Sequence, residues 1–211
     1  MKEQYSQIQL DALREIGNIG AGNAATSMSK LINKKVDMTV PKVEIVAFDE
    51  AVEILGGPEK LVVAIMFQIQ GEAPGTVYLF FSIDEADSLV QQMTMSDDMK
   101  LFDEQENINE IAFSALQEAG NILAGSYLTA LSDFTNINMQ PSIPHLSIDM
   151  AGALLSVGLI EISTITDYAI VIDTKINDMD TTNGINSQFF LLPAVESVSK
   201  IFNAIGINEY E

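Results

Sequence analysis

The sequence predicts an internally duplicated α+β domain with a pseudo-twofold, in which two long helices and smaller helices pack on a six-stranded sheet. Three observations carry this reading. Shifted by 103 residues, the chain lies over itself: LREIGNIGAGNAATSMSKL (13–31) matches LQEAGNILAGSYLTALSDF (116–134), and 12 of the 31 positions from 11 to 41 recur between 114 and 144. Each half has one long stretch of helical periodicity followed by short β-branched or alternating segments. Half of a 211-residue chain has too little interior to stand alone, so the halves are expected to share one core. The expected unit is one domain over 1–211, made of repeats spanning about 8–94 and 108–204.

In chain order, each half begins with its long helix. Leu13, Ile16, Gly17 and Gly20 form the inward stripe of the first; Leu116, Gly120 and Leu123 form that of the second. A strand and a short helix follow, the helix being FDEAVEIL (48–55) or GALLSVGL (152–159). Two further strands come next. By similarity VVAIMFQIQ (62–70) lies over YAIVIDTKI (168–176), and VYLFFS (77–82) over QFFLLP (188–193). QGEAPG (70–75) and NDMDTTNGIN (177–186) have turn composition. A last helix, IDEADSLVQQM (83–93) or AVESVSKIF (194–202), closes each half, and the acidic stretch MSDDMKLFDEQEN (95–107) separates them.

On a helix turning about 100° per residue, Asp11, Glu15 and Asn18 fall within a narrow arc opposite the apolar stripe. Ser114, Glu118 and Asn121 do the same in the second helix. Polar residues on an exposed helix face are ordinary. Asparagine, however, is a mediocre helix former that competes for backbone hydrogen bonds. Glu-x-Gly-Asn occurs twice while surface neighbours differ (Arg14 against Gln117, Lys30 against Asp133), which points to function. Gly22 and its counterpart Gly125 share the Asn face and permit close approach from outside.

The glycine string EIGNIGAGN (15–23) invites a phosphate-loop reading, which fails on context. Such a loop follows a strand and opens a helix, whereas these glycines follow two turns of amphipathic helix. Cysteine is absent, which excludes disulfides, zinc–thiolate sites and cysteine nucleophiles; His145 is the only histidine. DMDTTNG (178–184) departs from the calcium-loop pattern in its glycine position and its missing final Glu. No metal site is therefore expected. The net charge of −20 disfavours nucleic acid and anionic membranes, and suits a partner with basic groups at its contact surface. Neither a secretory signal nor a membrane-spanning run is read in the sequence, so a cytoplasmic location is expected.

The doubled pattern Asp/Ser-x3-Glu-x2-Asn-x22-Pro (Asp11, Glu15, Asn18, Pro41; Ser114, Glu118, Asn121, Pro144) resembles the signature of the CheC/CheX/FliY family of chemotaxis phosphatases, in its two-motif CheC branch. The resemblance spans nearly the whole chain, including KVDMTVP and PSIPHLSIDM. It implies paired helices over a six-stranded sheet and hydrolysis of the aspartyl phosphate of phosphorylated CheY. Asn18 or Asn121 would orient the attacking water, and Glu15 or Glu118 would pair with the regulator's active-site lysine. Asp11, Pro41, Ser114 and Pro144 would be supporting motif positions. The chain would need no cofactor of its own, because Mg2+ would belong to CheY. The resemblance further implies binding of CheD, a receptor deamidase, around 148–160, with Asp149 a contact. The apolar short helix there suits either docking or core packing. The alternative reading is a non-catalytic binding or adaptor module, as the FliM middle domain is; two intact Glu/Asn motifs favour catalysis. Different rates are expected at the two sites, because Asp11 and Gly20 in one face Ser114 and Leu123 in the other. The internal twofold favours a monomer.

Overall fold

The computed structural model describes residues 7–161, 168–178 and 184–205. The expected repeat of elements is present. The first half runs α1 (Gln7–Ile32), β1 (Val36–Ala47), α2 (Phe48–Ile54), β2 (Leu61–Gly71), β3 (Gly75–Phe81) and α3 (Ile83–Thr94). The second runs α4 (Glu110–Thr135), β4 (Met139–Pro141), β5 (His145–Met150), α5 (Ala151–Glu161), β6 (Tyr168–Asp178), β7 (Ile185–Pro193) and α6 (Val195–Ala204). Among the described residues, no helix is long and apolar enough to cross a membrane.

Among the described residues, seven strands form the antiparallel sheet, in the order β1-β6-β7-β3-β2-β4, with β5 also paired to β2. The expected six strands correspond to six positions, because β4 and β5 lie end to end along one edge of β2. The other end of the sheet is β1, continuous but irregular between Thr39 and Lys42. Proline explains both interruptions. Pro41 sits in the irregularity and Pro144 in the gap before β5, and neither has an N–H to complete a ladder.

The ladders correct the strand equivalences read from sequence. Lys42 pairs with Asp173 and its counterpart His145 with Met66, so β2 maps to β6 at a shift of 107, not 106. Ile65 pairs with Leu79, and Ile172 with Phe189, so β3 maps to β7 at 110, not 111. A slip of one residue would turn every side chain to the wrong face. Sequence could not set the register because β3 is buried along its whole length and shows no alternation. With the corrected shift, the central pair Leu79–Phe189 is its own counterpart, and the pseudo-twofold axis passes through it.

Helices cover both faces of the sheet. α1, α3, α4 and α6 enclose the larger core, which includes Met28, Phe67, Leu116 and Phe189. The short helices α2 and α5 cover the other face with Ala51 and Leu155 over Val46, Phe80 and Phe190. The acidic stretch between the halves is not a free linker. Its Leu101 is fully buried, and the Leu101 N–H donates to Asp87 Oδ1 at 2.8 Å. α3 begins with a capping box formed by Ser82 and Glu85, and Glu85 also accepts the Asn186 N–H at 3.2 Å, tying the helix to β7.

Candidate functional site

Both long helices present their polar trio outward. Asp11, Glu15 and Asn18 are exposed while Leu13, Ile16, Gly17 and Gly20 are buried. In α4, Ser114, Glu118 and Asn121 are exposed while Leu116, Gly120 and Leu123 are buried. The helical period alone places them so, and the sheet then determines how closely each helix lies. A Cβ on Gly17 would meet Val40 and Ile172 at 3.5 Å, and one on Gly120 would meet Ile65 at 3.0 Å. These glycines let the helices down onto the strands. Gly22 and Gly125 differ: a Cβ on either would meet nothing within 4 Å, so that part of the face is open.

Between α1 and α4 lies an open groove of about 480 Å³, lined by Asn121, Gly125 and Thr129 of one helix and Asn23, Thr26 and Ser27 of the other. Among the described residues, the side chains of Glu15, Asn18, Glu118 and Asn121 make no hydrogen bond or ion pair, which leaves them available to an incoming molecule. Asp11 is partly engaged, accepting from Gln7 Nε2 at 3.1 Å and lying 3.7 Å from the Arg14 guanidinium. Ser114, at the equivalent position of α4, carries no charge. No group of three or more His, Cys, Asp or Glu among the described residues is arranged to hold a metal ion.

Pro41 stands in the edge strand β1 and Pro144 in the gap between the edge strands β4 and β5. What they flank distinguishes the two halves. Val40 is 6% exposed and tucked against Gly17, whereas Ile143, its counterpart, is 89% exposed. Ser142 holds this turn: its Oγ accepts the Gln68 N–H at 3.0 Å, and its own N–H donates to the Gln68 carbonyl at 2.9 Å. The motif proline hints at a break but not at the direction its neighbour takes.

Asp149 is exposed on β5, next to Met150 and its cross-strand partner Leu61, which are 50% and 47% exposed. The apolar face of α5 belongs in part to the core, since Ala151 and Leu155 are buried there. The side chains at 157–160, where docking was also expected, lie outside the described residues, as do 179–183 of the turn that lacks a calcium pattern. His145 is exposed.

The model of the CheC-like family matches the chain twice, over residues 8–45 and 111–148. The two matches are offset by the same 103 residues as the internal repeat, and each carries one complete motif. The CheY-P phosphatase CheC of Bacillus subtilis (strain 168) is 40% identical over 198 residues, covering 94% of each chain. The chain belongs to the CheC-like family. A further relative, the flagellar motor switch phosphatase FliY of B. subtilis, is 30% identical over 146 residues, or 69% of this chain and 37% of that one. Among solved structures, FliY of Thermotoga maritima superposes with a TM-score of 0.74 at 21% identity, covering 96% of this chain and 98% of that one. The FliM middle domain of H. pylori gives 0.62 at 14%, covering 95% and 99%. These two share the CheC-like fold.

The two CheC-like copies also differ at Gly20 and Leu123, which sequence suggested would tune the two sites. Both positions are buried, so their contrast concerns how α1 and α4 pack and lies away from the exposed Glu/Asn face.

Proposed function

We propose that this chain is a phosphatase that hydrolyses the aspartyl phosphate of a phosphorylated CheY-type response regulator. The observation that carries this reading is the Glu–Asn pair, repeated on α1 and α4, outward-facing and unengaged in both copies. The names of the B. subtilis relatives, a CheY-P phosphatase and a switch phosphatase, support the reaction class.

Residues that are poor nucleophiles suit this chemistry. Phosphoryl transfer to water requires little covalent participation but requires the water to be held in line. A carboxamide donates and accepts at once, so Asn18 or Asn121 reaches the regulator's acyl phosphate and orients the attacking water. Glu15 and Glu118 stand one turn earlier on the same face. Each pairs with the ammonium of the regulator's active-site lysine, docking the helix and loosening that lysine's hold on the phosphoryl group. The open backbone at Gly22 and Gly125 lets the regulator approach closely. Asp11 and Ser114 flank the pairs one turn further back. Magnesium belongs to the regulator.

A second docking face, for CheD, surrounds Asp149. An exposed carboxylate beside the half-exposed pair Leu61 and Met150 supports it. The chain works as a cytoplasmic monomer, its internal twofold supplying both sites.

The deciding experiment follows the decay of phosphorylated regulator with and without the protein. Asn18→Ala combined with Asn121→Ala should slow turnover by about 10- to 1,000-fold, the range expected when transition-state positioning is lost. Decay as fast as with wild type would remove the catalytic assignment. For the second face, Asp149→Lys should abolish co-elution with CheD while leaving dephosphorylation intact.

A further inference from the structure

We infer that the two sites exclude each other: a phosphorylated regulator seated on either long helix covers the other site, so the protein engages one regulator at a time. This rests on the proposed function and concerns how its two sites share one surface.

The groove supplies the first observation. Asn121 of α4 opens into the same space as Asn23, Thr26 and Ser27 of α1, so the surroundings of the second site include the helix that carries the first. The pseudo-twofold relates Asn23 and Thr26 to Ser126 and Thr129, which border Asn121 on its own helix. Each site therefore takes in part of the other's helix.

The helix crossing supplies the second. A Cβ on Gly20 would lie 3.0 Å from Tyr127 Cα, so the backbones nearly touch there. At the 103-residue shift, Leu123 is the counterpart of Gly20 and Ala24 that of Tyr127. The axis thus crosses the pair midway, at the level of Gly22 on α1 and Gly125 on α4, where the helices run antiparallel. Asn18 and Asn121 each precede that level by four residues, on opposite sides. At a rise of about 1.5 Å per residue and an interaxial distance of about 8–10 Å, they are about 15 Å apart.

A domain of about 100 residues has a radius of gyration of about 13 Å and is therefore roughly 34 Å across. Two such bodies cannot both place their phosphoryl groups at points about 15 Å apart on one face. The two central glycines border open space and put no side chain of their own between the sites. The duplication gives a regulator two productive orientations on one landing surface.

The test titrates the protein with a CheY-type receiver domain loaded with magnesium and beryllofluoride, reading stoichiometry by calorimetry and mass by light scattering. Wild type should saturate with one receiver domain. The variants Glu15→Ala/Asn18→Ala and Glu118→Ala/Asn121→Ala should each also bind one. Two receivers per wild-type chain would overturn the inference while leaving the phosphatase reading in place. Loss of all binding in one variant would also overturn it, because a single competent site would then explain the stoichiometry. Absence of both binding and dephosphorylation would sink the function and the inference together. A kinetic arm places Gly22→Trp in the Glu15→Ala/Asn18→Ala background. KM at the surviving site on α4 should rise roughly 3- to 10-fold with kcat and circular dichroism unchanged, as for an obstructed interface; an unaltered KM in a folded variant would overturn overlap.

Discussion

A Cβ added to Gly20 of α1 would stand 2.7 Å from Cδ1 of Tyr127 on α4, and 3.0 Å from its Cα. The absence of a side chain at Gly20 is what lets the Tyr127 ring lie between the helices. The ring continues to Phe189, with centroids 4.7 Å apart, and its hydroxyl bonds Thr174 Oγ1 at 2.6 Å. At the 103-residue shift the counterparts of Gly20 and Tyr127 are Leu123 and Ala24, so the repeat again sets a small residue of one helix against a large one of the other. Volume is conserved across the axis although the residues are not.

Gly20→Ala is accordingly expected to destabilise the protein by about 1–3 kcal/mol, since the methyl meets backbone that cannot turn aside. The ~1 kcal/mol that alanine contributes inside a helix offsets only part of the clash. Gly22→Ala, only two residues on and facing open space, should be neutral or stabilising by up to ~1 kcal/mol. Urea denaturation of the two variants separates the effects, and similar midpoints would contradict the packing described here.

Burial pushes the Tyr127 phenol up to about 12, and the hydrogen bond with Thr174 only partly opposes the shift. A group whose folded value is raised holds its proton more tightly in the native state. Its contribution to stability is therefore full below pH ~10, where the unfolded phenol titrates, and is lost as pH rises toward about 12. Tyr127→Phe should remove that alkaline decline. It should also cost about 1–2 kcal/mol at neutral pH by leaving Thr174 without its partner. Thermal melts from pH 8 to 12 test both.

The two sites should fail separately. Asn18→Ala and Asn121→Ala should each retain measurable phosphatase activity with unaltered unfolding curves, because both side chains are exposed and unengaged. Glu15→Gln and Glu118→Gln should act mainly on KM through weaker docking of the regulator's lysine. A single asparagine variant as inactive as the double would show that one site alone works.

The second long helix should depend on its cap. The Asn109 side-chain oxygen accepts the N–H groups of Ile111 and Ala112 at 3.1 and 3.3 Å, while the Asn109 backbone N–H donates to the Leu101 carbonyl at 2.9 Å. Asn109→Ala should lower stability by about 1 kcal/mol, and hydrogen exchange should speed up in the first turn of α4. Unchanged protection there would mean that the buried Leu101 holds the turn without the cap.

Much of this was legible without a structure, and the particular failures show why the rest was not. The outward placement of Asp11, Glu15, Asn18 and their counterparts follows from the helical period, and the repeat singled them out from ordinary surface residues. Gly17 and Gly22 look alike in sequence, yet one rests on Val40 and the other borders open space. Val40 and Ile143 occupy equivalent positions beside a motif proline, yet one is buried and the other exposed.

The duplication, the order of helices and strands, and the face that carries each Glu–Asn pair follow from the amino-acid order. All of these are local or periodic properties, and the second copy made them readable. Tertiary structure alone decided the strand register, because strands buried on both faces carry no alternation to set it. It also decided that the Gly20–Leu123 contrast belongs to helix packing, and that Asn121 opens into a groove shared with α1. Those facts depend on how α1 and α4 cross, which is set by contacts between residues more than a hundred positions apart, where no period in the chain reaches.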